Sequence, residues 1–144
     1  MQKDRADFLI AILRAKGIRP TSFRIEVLDI IERTDAALSN AQIEAQLESY
    51  DRITLYRTLK TFTEDGVIHE IALTGSDKRI ALCASDCKSE GGRHVHQHAH
   101  FKCKLCEEVV CVELARFPSI MAEAYAVEDV EINLQGTCPK CQRK

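Results

Sequence analysis

Apolar residues recur at helical spacing through the first half of the chain and then switch to the alternation of strands. Phe8, Leu9, Ile12 and Leu13 form one stripe, which predicts a helix over residues 4–15, ended by Gly17 and the Arg19-Pro20 turn. Thr21 or Ser22 is placed to cap a second helix that turns Phe23, Val27, Ile30 and Ile31 inward. Ser39 with Gln42 three residues on is a capping box for a short third helix, whose apolar points are Ile43 and Leu47. Asp51 opens a fourth helix that Gly66 closes. Its inward set is Ile53, Leu55, Leu59 and Phe62, which leaves Thr54, Arg57, Thr58 and Lys60 outside and Tyr56 near the boundary. Residues 67–73 and 78–82 are then β-type runs around Thr-Gly-Ser-Asp, a hairpin signal.

Several short helices followed by a hairpin is the order of a winged helix. In that arrangement a late helix enters the major groove of DNA and flanking cations hold phosphates. Residues 84–93 are polar, contain Gly91-Gly92 and read as a linker. Strand-like runs at 98–103 and 109–114 follow, Phe117-Pro118 starts a helix, and a last strand over 130–134 leads through Gly136 to the C-terminus. The expected class is α+β: a winged-helix DNA-binding domain (1–83), a linker (84–93) and a small α/β domain (94–144).

Length and charge narrow this further. A chain of 144 residues holds one medium domain or two small ones, and a half of that size buries a thin core that a structural metal would support. No apolar run approaches a membrane span, and the charged N-terminus lacks a signal peptide's apolar stretch, so a reducing cytoplasmic setting and no membrane partner are expected. The net charge of −2 does not advertise nucleic acid, but its distribution does. Residues 8–25 carry Arg14, Lys16, Arg19 and Arg24 without an acid, and residues 52–63 carry Arg52, Arg57 and Lys60 without one. Solvated helix faces look the same, so these runs do not decide the matter alone.

The chemistry concentrates between His94 and Cys106, which holds four of the five histidines and two of the seven cysteines. Cys103 and Cys106 form one Cys-x-x-Cys pair, and Cys138 and Cys141 form a second. Two such pairs predict a tetrahedral Cys₄ zinc site, and in a reducing compartment metal ligation outranks disulfides. The 31 intervening residues are a small objection, because loop-closure cost grows only logarithmically. Cys83, Cys87 and Cys111 remain outside that set. If residues 96–102 are extended, His96, His98 and His100 share one face, a good arrangement for a second divalent ion. Cys83, at the end of the hairpin, can swing beside them, and His69 is a lone histidine on the preceding strand. A zinc hydrolase would need an acidic general base beside the metal, and the nearby acids Glu90, Glu107 and Glu108 lie in the linker or at a knuckle. Neither catalysis nor a small-molecule substrate is expected. A zinc ribbon with no DNA role is disfavoured by the acid-free basic stretches.

Four pieces in order, Gly17-Ile-Arg-Pro-Thr-Ser-Phe-Arg24, Ile53-Thr-Leu-Tyr-Arg-Thr-Leu59, His98-Ala-His-Phe-Lys-Cys-Lys-Leu-Cys106 and Gly136-Thr-Cys-Pro-Lys-Cys141, resemble the ferric-uptake-regulator (Fur) family of metal-sensing repressors over the whole chain. The resemblance implies a homodimer that binds palindromic operator DNA when a regulatory metal sits at the hinge. It assigns dimerisation and metal binding to the small α/β domain (94–144) and makes the linker (84–93) the hinge. It also implies that Tyr56 and Arg57, with Thr54 on the same helix, touch DNA in the major groove, and that Arg19 reaches the minor groove. Cys103, Cys106, Cys138 and Cys141 fall on the structural zinc ligands; His69, Cys83, His98 and His100 fall on the regulatory ligands of the zinc-sensing, Zur-like branch. Ala37 and Ala81 stand where iron- and peroxide-sensing members carry a histidine and a carboxylate, and Cys111 stands where the family has an acidic ligand. Gln97, Ala99, Pro118 and Val130 leave the family's additional site without ligands, and Glu107 replaces a usual glycine. Fewer oxygen donors and more thiols favour zinc over iron, so a Zn²⁺-dependent repressor is expected, with an Fe²⁺- or peroxide-sensing repressor as the alternative. Cys87, His96 and Cys111 are further candidate ligands.

Overall fold

In the N-terminal half the local signals act where they stand. Helix α1 (Gln2–Ala15) buries Leu9 and Leu13, and Gly17 ends it at φ 73°, a conformation that carries a steric cost for residues with a Cβ. Helix α2 (Ser22–Glu32) is capped by the Thr21 hydroxyl, which accepts from the Arg24 N–H at 3.2 Å. Both bonds of the Ser39–Gln42 capping box are made at the start of α3 (Asn40–Glu44). Helix α4 (Arg52–Glu64) is capped by Asp51 and stops before Gly66, at φ 77°. Leu13, Leu28, Ile30, Ile43 and Phe62 are fully buried where these helices meet. The structure, a computed structural model, describes residues 2–72, 78–83, 88–90, 93–95, 99–116, 118–127 and 130–144.

The expected hairpin forms as β1 (Ile68–Ile71) antiparallel to β2 (Arg79–Leu82). Leu38 and Ile80 exchange backbone bonds of 2.8 and 2.6 Å, which adds a third rung beside the helices. Helices, short rung and hairpin together are a winged helix. The stretch read as a linker is not featureless. It holds β3 (Lys88–Glu90) and the first residue of β4 (Arg93–Val95), which pair antiparallel and are too short and polar to register as alternation.

The C-terminal sheet has the order β6-β5-β7, with β5 (Ala99–Cys103) in the centre. Strand β6 (Val109–Val112) runs antiparallel to it, and β7 (Asn133–Gly136) runs parallel, bringing Gly136 opposite Cys103. The last strand thus begins three residues later than its apolar run suggested. Residues 118–127 contain a turn instead of the expected helix: Ile120, Met121, Tyr125 and Val127 are all exposed, and a helix with no buried stripe is marginal in water. Helix α5 (Pro139–Gln142) is a single turn inside the second knuckle. The two halves meet where the Ala37 N–H donates to the Val109 carbonyl at 2.6 Å and where Ala37, Ile71, Val109 and Ala81 pack together.

Candidate metal centres and the helix beside them

The parallel pairing of β5 with β7 is what brings the two Cys-x-x-Cys knuckles together. Cys103 ends β5, Cys106 lies in the turn after it, Cys138 caps α5 and Cys141 lies within α5. Their four sulfurs lie within 4.8 Å of one another, and Cys106 Sγ is 3.8 Å from Cys138 Sγ. A thiolate tetrahedron with zinc–sulfur bonds of about 2.3 Å has edges of about 3.8 Å, so the spacing fits zinc.

The electrostatics fit as well. Hydrogen bonds from the backbone N–H groups of Cys106 and Cys138 hold the Cys103 thiol down to about 6. The Cys138 N–H stands 3.4 Å from the Cys103 sulfur. Cys141 is pushed up to about 12, first by its hydrogen bond with Cys138 and then by burial. For Cys106, a lowering bond from the Glu108 N–H is outweighed by burial and by the Cys103 and Cys138 thiols, so its pKa is raised. Crowded thiols resist joint ionisation, and a divalent cation removes that resistance.

A second cluster lies at the junction of the halves. His69 on β1 and His100 on β5 are buried, 3% and 4% exposed, with their Nε2 atoms 3.3 Å apart. Cys111 on β6 is directly opposite His100 in the sheet, and its Sγ is 3.5 Å from His69 Nε2. The ligand atoms of His69, His100 and Cys111 all lie within 4.8 Å of one another. Cys83, held against β1 by its N–H to the Val67 carbonyl at 2.9 Å, has its Sγ 3.5 Å from His69 Nδ1. Zinc–nitrogen bonds of about 2.05 Å and zinc–sulfur bonds of about 2.3 Å give tetrahedral edges of about 3.3 and 3.6 Å. The observed 3.3 and 3.5 Å match those edges.

Sequence reasoning grouped His69, Cys83, His98 and His100. The structure brings His69, His100 and Cys111 together, with Cys83 at the other ring nitrogen of His69. His98, His96 and Cys87 lie outside the described residues.

On α4 the burial departs from expectation at two positions. Thr58 is buried, its hydroxyl donating to the Thr54 carbonyl at 2.8 Å, and Ile53 is exposed. The inward set is Leu55, Thr58, Leu59 and Phe62, a true helical stripe that a polarity reading of Thr58 conceals. Tyr56 and Arg57 are exposed, and so is Arg19. The Thr54 hydroxyl donates to Asp51 Oδ2 at 2.9 Å and so belongs to the helix cap. Among the described residues, no helix is long and apolar enough to cross a membrane.

The family model "Ferric uptake regulator family" matches residues 15–135. The ferric uptake regulation protein of Legionella pneumophila is 30% identical over 137 residues, covering 90% of this chain and 96% of that protein. Among solved structures, holo XcZur aligns with a TM-score of 0.67 at 19% identity, over 96% of this chain and 99% of that one. A zinc uptake regulator complexed with zinc and DNA aligns with a TM-score of 0.64 at 21% identity, over 98% and 95%. At those identities the structures speak for the fold, and the family match speaks for the rest. The chain belongs to the ferric uptake regulator family of metal-responsive transcription regulators, and it is not an enzyme.

Proposed function

We propose that the chain is a zinc-responsive repressor that binds a palindromic operator as a homodimer, with its regulatory ion held where the two halves meet. The observation that carries this reading is the donor set of His69, His100 and Cys111 at zinc-like separations, with Cys83 beside it. Two imidazoles and a thiolate are borderline-soft donors that suit tetrahedral Zn²⁺. Fe²⁺ would favour more oxygen donors, and among the described residues this set contains no carboxylate. The relatives named for ferric uptake keep an iron-responsive repressor as the second reading.

Cys103, Cys106, Cys138 and Cys141 would hold a structural zinc, and His69, His100 and Cys111, joined by Cys83 or His98, the regulatory one. A bound cation supplies the charge that lets the thiols ionise and the two imidazoles converge. The rest belongs to the chain. His69 comes from the wing and His100 and Cys111 from the C-terminal sheet, so one shared ligand set fixes the wing against the sheet. We take residues 1–83 as the DNA-binding unit, 84–93 as the hinge and 94–144 as the dimerising unit. Exposed Ile120, Met121, Tyr125 and Val127 are the kind of apolar surface a second copy covers. With two-fold symmetry, two α4 helices present Tyr56 and Arg57 to two half-sites, while Arg19 reaches the adjacent backbone and minor groove. With an ion held by His69, His100 and Cys111, the wing and the sheet would populate the operator-compatible arrangement more, and linkage would require operator DNA to tighten the ion in return.

The test is operator binding in cytoplasm-like reducing buffer by protein whose Cys₄ site is already filled. Added Zn²⁺ is expected to switch binding on at a lower free concentration than Fe²⁺ or Mn²⁺. A response to Fe²⁺ with indifference to further zinc overturns the zinc reading and installs the iron one.

A further inference from the structure

The outward position of Ile53 has a counterpart in its surroundings. Ile53 is 61% exposed, and Tyr56, one turn on, is 67% exposed. A helix advances about 100° per residue, so Ile53, Tyr56, Arg57 and Lys60 fall within an arc of about 100°. All four are exposed, while Leu55, Thr58, Leu59 and Phe62 fill the opposite face. An exposed isoleucine is disfavoured here twice: its branched Cβ lowers helix propensity, and its apolar surface stays in water. Lone surface isoleucines are common and need no explanation. This one lies beside an exposed tyrosine, among Arg52, Arg57 and Lys60, on a stretch from 52 to 63 without an acid.

It is also the second residue of α4, at the end that a recognition helix leads with into the major groove. Its neighbour Thr54 has its hydroxyl bonded to Asp51, which leaves the aliphatic side chain to meet whatever the helix end approaches. The apolar feature on base edges in the major groove is the 5-methyl group of thymine. We infer that Ile53 is a specificity-determining residue that packs on the 5-methyl group of one thymine in each operator half-site. The inference rests on the repressor reading above and adds to it which base feature the helix end selects.

Duplexes enriched from a random-sequence pool by zinc-loaded wild-type protein provide the operator. Each thymine is then replaced singly by uracil, which removes the methyl group and leaves the pairing edge unchanged. Burying a methyl-sized group corresponds to about a fourfold change in affinity. Wild type should therefore have one thymine per half-site at which uracil weakens binding by about fourfold. Ile53→Ala should lose that sensitivity while keeping the other uracil penalties, the salt dependence, the zinc content and the melting temperature, since alanine is the better helix former. Superimposable uracil profiles for wild type and Ile53→Ala overturn the inference and leave the repressor reading in place. So does an Ile53→Ala protein that loses affinity evenly on operator and random duplex. A wild type that enriches no sequence overturns both.

Discussion

Two imidazole nitrogens 3.3 Å apart cannot each carry a proton toward the other, and a single ion between them can take both lone pairs. The Cys111 sulfur beside them offers that ion a third donor. Zinc binding to four-ligand sites is worth roughly 10–16 kcal/mol, so one ligand corresponds to an affinity loss on the order of 100-fold. Cys111→Ala should lose about that much at the junction and leave the Cys₄ zinc in place, as read by chelator competition on zinc-filled protein. Cys83→Ala should cost less, because Cys83 faces the other nitrogen of His69; a larger loss from Cys83→Ala than from Cys111→Ala would reverse the assignment of the thiols. The pairing of Cys111 with His100 was legible in principle. The Cys103 N–H bonds the Glu108 carbonyl, and a tight hairpin closed there carries His100 opposite Cys111. The family resemblance puts Cys83 in the regulatory set and leaves Cys111 a further candidate; strand register is what brings Cys111 beside His100. The Cys₄ thiols set a pH dependence. With Cys141 near 12 and Cys106 raised, zinc must displace protons across the neutral range, so affinity falls as pH falls. Cys103, near 6, is already a thiolate above that pH and adds a proton to the competition only below it, so the fall should steepen through about 6. A zinc-release titration against pH would register the change of slope.

At the scale of elements, the four N-terminal helices and the hairpin were readable because their caps, glycines and stripes all agree with the fold. Hydrophobicity and the helical period disagree at Thr58 and Ile53, and the burial follows the period. A threonine whose hydroxyl returns to the Thr54 carbonyl is an acceptable core residue. The expected helix after Pro118 failed for the converse reason: its apolar residues have nothing within the described chain to pack against. Arg57 on the exposed face of α4 gives the element its own test. If Arg57 neutralises one phosphate, Arg57→Ala should weaken binding on every duplex and lower the slope of log affinity against log salt by about one per protomer. Tyr56→Ala should instead weaken the selected operator most. Salt titrations on operator and random duplexes separate the two, and unchanged affinities in both variants would place the DNA contact elsewhere.

Across the whole molecule, the N-terminal half has a core of its own, and among the described residues the C-terminal half buries few apolar side chains, Ala99 and Val109 among them. Strand β7 is mostly exposed, so apolar burial does little to hold it beside β5, and on the proposed reading a Cys₄ zinc clamp would reinforce its backbone pairing. Chelation, or Cys103→Ser, should free the β7 amides for hydrogen exchange while the amides around Phe62 and Leu28 stay protected; protected β7 amides in metal-free protein would refute the clamp. One hairpin, β5 with β6, carries Cys103 and Cys106 around its turn, His100 and Cys111 on its strands, and the Val109 carbonyl that meets Ala37. On the proposed reading, the element that would report one ion also holds another at its turn. On the zinc-responsive reading, a newly synthesised chain would take up the Cys₄ zinc at the turn of this hairpin before a second zinc could be read at its strands. Scarcity then acts twice, on how many chains mature and on how many of those respond. Chains loaded from the metal-free state should give a steeper dose–response curve than chains given their first zinc beforehand, a threshold that arises from maturation and needs no communication between subunits.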